Sequence, residues 1–339
     1  TRLPPNPPLL MPTNNVNTPT SVPSNSTASS VGRGCGRGLA QNNANPVTLP
    51  LSTLALSETN STIQPQSNVE LRTWLEQYCN GTIEHGEPNT WDVTLVTDMS
   101  GLFKDLETFN APIDHWDTSN VTTMNEMFES ALLFNQPLNW DTSNVTTMEY
   151  MFEEAIAFNQ PLTWITSNVT NMRGMFREAT LFNQPLNWDT KNVTDMSEMF
   201  TRSTSFNQPI TFDTSKVTNM SSMFLRATSF NQPITMNTSN VTNMARMFNH
   251  ADIFNQPITM NTSNVLNMTA MFRNARAFNQ PLLMNTSQVT MMSSMFTNAQ
   301  SFNHPFTLDT SNVTHMSRIF LGAISMTHPE PQITPVEFE

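Results

Sequence analysis

Apolar residues recur along this chain on two different periods. Over 67–81 (SNVELRTWLEQYCNG), Leu71, Trp74, Leu75 and Tyr78 fall at i, i+3, i+4 and i+7, which is one face of a helix. Ser67 or Asn68 can cap its start and Gly81 can end it. From residue 91 onward the period is much longer. A Phe-Asn-x-Pro tetrapeptide places Phe at 109, 134, 158, 182, 206, 230, 254, 278 and 302, and Met326 opens a degenerate tenth copy. After one step of 25 residues, every step is 24. A second Phe marks each unit, at 103, 128, 152, 176, 200, 224, 248, 272, 296 and 320. Such self-similarity is the signature of stacked repeats, and a period without insertions keeps each unit in register on the last.

Within one unit, 141–164 (DTSNVTTMEYMFEEAIAFNQPLTW), Val145, Met148, Met151, Phe152 and Ala155 are spaced as an apolar helical face. Thr142, Ser143 and Asn144 are residues that cap helices. Pro161 stops the helix, and Leu162 and Trp164 alternate with Thr163 as a short strand would. The unit is therefore predicted to be a cap, a short helix, a turn and a short strand. The lone amphipathic helix at 67–81 is what a cap on the exposed end of the array looks like.

Stacking turns equivalent residues into ladders. The Asn ladder from Asn110 to Asn303 is expected to be structural, holding turn backbone from coil to coil rather than forming a binding strip. Trp91, Trp116, Trp140, Trp164 and Trp188 give way to Phe212, Met236, Met260, Met284 and Leu308. A position open to all four apolar types reads as core rather than as an aromatic sugar-binding strip. Asp92, Asp117, Asp141, Asp189, Asp213 and Asp309 are interrupted by Ile165, Asn237, Asn261 and Asn285, which suits helix capping and not a calcium stripe.

Composition narrows the function. Only 12% of the 339 residues are charged and the net charge is −12, which argues against nucleic-acid binding. Residues 1–66 are rich in Pro, Asn, Ser and Thr and cannot bury enough apolar surface to order themselves. The Gly-Arg segment 32–38 within them holds too few arginines to read as an RNA-binding element. Cys35 and Cys79 make neither a disulfide framework nor a zinc site by spacing, and a bond between them is not expected. No apolar run is long enough to span a membrane, so no membrane insertion is expected. The six histidines share no metal-ligand spacing, and no phosphate loop or nucleophile elbow occurs. No catalytic residue, cofactor or metal is expected.

Val96-Thr97-Asp98-Met99, Met127-Phe128, Phe134-Asn135-Gln136-Pro137 and Trp140-Asp141-Thr142-Ser143-Asn144-Val145 resemble the repeat of the BspA-like surface proteins. These are also called mycoplasma lipoprotein-type repeats, and they recur in large DNA viruses and some protists. The resemblance covers 68–329 and leaves out the tail. It implies a leucine-rich-repeat-like solenoid with surface or interaction roles and no shared active site. The sequence shows no lipobox or signal segment, which argues against a bacterial lipoprotein. The expected architecture is an α/β solenoid of ten ~24-residue coils, each a short helix plus a short strand. The expected boundaries are a tail (1–66), a capping helix and lead-in (67–90), the repeat domain (91–329) and a terminal segment (330–339).

Departures from the ladders are where function is expected. Residues 91–154 carry Lys104 against twelve acids, whereas 201–327 carry seven cations against three acids. Electrostatic complementarity of this kind sets orientation between partners. Candidate contacts are Glu126, Glu129, Glu149 and Glu153 on the acidic part and Arg226, Arg246 and Arg273 on the basic part. The expected partners are other protein chains, either assembly neighbours or a surface receptor. The favoured expectation is an accessory capsid protein on the surface of a large virus. The alternative is a secreted or cell-surface adhesin, with glycans on sequons such as Asn120 and Asn144.

Overall fold

The structure is a computed structural model that describes residues 64–328; the tail up to residue 63 and the segment from 329 lie outside the described residues. The first element, α1, spans Asn68–Cys79, and Ser67 caps it by accepting from the Glu70 amide at 3.2 Å. Leu71, Trp74 and Leu75 are buried, and the Trp74 ring meets Trp91 edge-on at 5.6 Å between centroids. Cys79, at the end of α1, is disulfide-bonded, contrary to the expectation from spacing. The sequence holds one other cysteine, Cys35, which lies outside the described residues.

Ten coils follow, numbered here by their internal Phe from Phe103 in coil one to Phe320 in coil ten. Two alternating sets of backbone hydrogen bonds run through the coils, one joining each coil to the next and one closing turns within a coil. In coil three the amides of Met148, Tyr150, Phe152 and Glu154 donate to Asn171, Arg173, Met175 and Arg177 of coil four, at 2.8–3.0 Å. The amides between them fold back: Met151 donates to Met148, Glu153 to Tyr150 and Ala155 to Phe152. The same pattern runs through the array. Parallel bridges link Asp98 to Thr123 and so on to Met291 and His315, joining all ten coils.

This corrects the predicted short helix. Over 98–107 and its equivalents the chain makes tandem turns, and among the described residues the only helices are α1 and a 3₁₀ turn at Pro88–Thr90. Two residues per coil, such as Tyr150 (φ 53°) and Glu154 (φ 55°), adopt left-handed backbone, which interrupts any α-helix. The apolar spacing that mimics a helical face comes instead from two linked turns. Left-handed backbone costs a non-glycine residue ~1 kcal/mol, offset here by bonding every second amide to the next coil. At Gly174 (φ 59°) a further demand applies, since an added Cβ would lie 2.1 Å from the Tyr150 ring. Its equivalents Glu198 and Ser222 keep the same backbone with full side chains, so the ring, and not the φ, requires glycine there.

The predicted strand at 161–164 is also absent. On that side the described residues show one bridge, Ile210 to Ile234. In the first half of the array the indoles join coils there: Trp140 Nε1 donates to Ile113 O, Trp164 to Leu138 O and Trp188 to Leu162 O, at 2.9–3.2 Å. The Trp position is buried throughout its run to Leu308. Phe152, Phe176 and Phe200 are fully buried, with parallel rings 5.6 and 5.8 Å apart, and each packs on its own Phe-Asn ring. Burying a Phe side chain contributes ~2 kcal/mol, and the buried Val and Met of each coil add comparable amounts.

The residues read as helix caps serve other bonds. Thr142 is buried and donates to Ile165 O of the next coil at 2.8 Å, while Asn144 Nδ2 donates to Ser119 O of the previous coil at 2.7 Å. Asp141 Oδ1 accepts from the Ser143 amide, and Asn237, Asn261 and Asn285 do the same for Ser239, Ser263 and Ser287. The Asp-to-Asn exchange therefore reflects a side-chain turn two residues long, which either residue can close. The Asn ladder is structural: each Oδ1 accepts from the next Asn amide at 2.9 Å, as in Asn159 to Asn135 and Asn183 to Asn159.

Both ends of the array leave backbone groups that a neighbouring coil would pair. At the start these are the carbonyls of Asp98, Ser100, Leu102 and Lys104, and α1 covers them. Asn68 Nδ2 donates to Asp98 O and Ser100 O at 3.0 Å, and Arg72 donates to Leu102 O at 3.0 Å and Lys104 O at 2.7 Å. Asn68 and Arg72 are one helical turn apart, so their reach matches the spacing of the edge. At the other end the amides of Met316, Arg318, Phe320 and Gly322 have no acceptor among the described residues.

Candidate interaction face

The turn runs of the ten coils line up as one side of the array, and most of its charges stand there. Counted from five residues before each internal Phe to four after, coils one to five carry eleven carboxylates against Lys104, Arg173, Arg177 and Arg202. Coils six to ten carry Arg226, Arg246, Arg273, Arg276 and Arg318 against Asp252 alone.

The acidic candidates are held by cations of adjacent coils. Lys104 Nζ lies 2.7 Å from Glu126 and 2.8 Å from Glu129, and these bonds raise its pKa. Glu149 approaches Arg173 at 3.8 Å, and Arg173 also bonds Glu198 at 3.0 Å. Glu153 pairs closely with Arg177. Asp105, Glu107 and Glu154 make no ion pair among the described residues. The basic candidates differ. Arg226, Arg246 and Arg273 are exposed and unpaired among the described residues, as are Arg276 and Arg318, which the sequence reading did not single out.

Between the two halves an open groove of about 410 Å³ crosses coils four to seven, lined by Glu178, Arg202, Arg226, His250 and neighbouring threonines. Arg202 bonds Glu178 at 2.7 Å. His250 Nε2 lies 2.9 Å from Asn274 Nδ2, an atom that can only donate, so His250 accepts there as a neutral ring. Burial, and then the nearby Arg226, push its pKa down.

Among the described residues Glu153 is the one buried carboxylate. Burial raises its pKa to about 7 against the opposing pull of Arg177, and Glu129, Glu154 and Glu178 add to the rise. The folded protein thus keeps this proton to higher pH than the unfolded chain does. Its contribution to stability is full below the ordinary carboxylate value and is lost as pH rises to about 7. Glu153→Gln is expected to flatten the stability–pH curve over that window, by at most about 3 kcal/mol across it, measured by urea unfolding at several pH values.

Among the described residues no group of three or more His, Cys, Asp or Glu could hold a metal ion. No described helix is long and apolar enough to cross a membrane. The sequons are built into the stack, because Asn120, Asn144, Asn168 and Asn192 each donate Nδ2 to the preceding coil at 2.7–3.0 Å.

The model of the family described as "Mycoplasma protein of unknown function, DUF285" matches residues 74–186, 162–236 and 235–332, well over half of the chain. The chain belongs to this family. The three matches overlap and together run through the coils, so a DUF285 match takes in several 24-residue units at once, and the protein is of the repeat type. No curated protein is matched. The resemblance to mycoplasma-type repeats thus holds at the level of the DUF285 family.

Proposed function

We propose that this DUF285 protein is a non-enzymatic interaction array, a leucine-rich-repeat-like solenoid that engages other protein chains through its turn-run side. The observation that carries this is the contrast between ladders and departures. Phe, Met, Trp, Thr and Asn at repeated positions are occupied in holding coils together, whereas five arginines in coils six to ten are exposed and unpaired among the described residues. Unpaired guanidinium groups on one side, with acids on the same side farther along, give orientation to a partner. A larger assembly is the setting this suits. A viral capsid as that assembly rests on the sequence resemblance and the Pro-rich tail. The sequon amides, already engaged between coils, favour an assembly component over a glycosylated adhesin.

Photo-cross-linking of the full chain in the cells that make it, with a diazirine residue placed in turn at Glu126, Glu129 and Glu154, tests the reading. Links from these positions to another protein chain are expected. Finding no intermolecular link on the turn-run side would contradict it.

A further inference from the structure

We infer that the partner of the turn-run side is a second copy of the same chain, docked antiparallel with acidic half on basic half. This rests on the interaction-array reading above and names its partner. The sign of the charge changes at coil five, where Glu198 and Arg202 stand together. A two-fold axis through coil five sets coil four against coil six, coil three against coil seven and coil two against coil eight. Glu178 then faces Arg226, Glu154 faces Arg246, and Glu126 and Glu129 face Arg273 and Arg276. The contact is isologous, so every pair is made twice and the pairing closes at two copies. A parallel arrangement in register would set arginines against arginines.

Two features of the side suit this pairing. The arginines concerned make no ion pair among the described residues, and neither does Glu154, whereas Glu126, Glu129 and Glu178 would share carboxylates already bridged to Lys104 and Arg202. On the acidic half, Lys104 is shared between Glu126 and Glu129, which leaves negative charge over. With coils ~4.8 Å apart, the seven overlapping coils span roughly 30 Å, and a strip ~15 Å wide buries on the order of 1,000 Å² in total. That is the size of a weak, salt-sensitive contact rather than an obligate one.

Sedimentation equilibrium of the full chain tests this. A dimer is expected at about 50 mM salt, with its dissociation constant rising at least about tenfold at about 500 mM. The variant Arg226→Glu/Arg246→Glu/Arg273→Glu should be monomeric at low salt with an unchanged thermal melt. Mixing it with Glu126→Lys/Glu154→Lys/Glu178→Lys should restore dimers between the two. If the acidic-half variant folds poorly, the arginine variant and the salt series still decide the matter. A wild-type chain that stays monomeric at low salt and about 100 µM, or an arginine variant that still dimerises, overturns the inference. In either case links to some other protein in cells would leave the interaction-array reading standing.

Discussion

Phe176→Ala, in the middle of the array, is expected to destabilise the protein by about 3–5 kcal/mol. Phe176 is fully buried, stacks between Phe152 and Phe200, and sits 4.0 Å from Phe182. Its removal leaves a cavity bounded by rings fixed in their own coils, so little collapse can refill it. Each coil touches only its neighbours, so the loss weakens two interfaces and invites the array to open at coil four. Phe320→Ala is expected to cost markedly less, because coil ten is 6% exposed at that ring and stacks on one side only. Urea unfolding of the two variants side by side gives the comparison. Equal losses would show that the rings do not act as a continuous stack.

The second large effect is expected at the start of the array. Asn68→Ala/Arg72→Ala should cost about 2–4 kcal/mol, since hydrogen bonds from charged donors contribute more than neutral ones. The double variant strips the donors from the carbonyls of Asp98, Ser100, Leu102 and Lys104. The apolar packing of Leu71, Trp74 and Leu75 remains, so the loss should be local. Hydrogen exchange is expected to speed up at the amides of Met99, Gly101 and Phe103, which bond coil two, while coils five to eight keep their protection. Loss of protection spread evenly over the array would mean that α1 is not an edge cap.

Much of this is legible in the sequence because ladders demand the same chemistry at the same depth. The Phe period, the apolar face of α1 and the burial of a position that drifts from Trp140 to Leu308 all follow from that demand. The turn run is not legible, since Val145, Met148, Met151, Phe152 and Ala155 carry a spacing that a helical face also produces. Its signature is left-handed backbone, which elsewhere announces itself by glycine. Here the array fills those positions with Glu126, Tyr150, Glu198 and Arg226, and only Gly101, Gly174 and Gly322 hint at them. The candidate charges are visible by sign but not by pairing. Lys104 meets Glu126 and Glu129 across 22 and 25 residues, and only the coil register makes them neighbours. Arg276 and Arg318 count toward the basic half in the sequence, and aligning the columns adds them to the contact candidates.

The stack requires residues one period apart to lie side by side. Thr146 and Thr170 are exposed and adjacent, with the Thr170 amide bonded to Thr146 O at 2.8 Å. Adjacent coils ~5 Å apart fall within disulfide range, and coils two periods apart, at ~10 Å, do not. The direct measurement is oxidative cross-linking of two variants, read by mass spectrometry of proteolytic fragments. Thr146→Cys/Thr170→Cys is predicted to close a disulfide readily, and Thr146→Cys/Thr194→Cys to remain as free thiols. Equal closure in both, or none in the first, would contradict the stacked register.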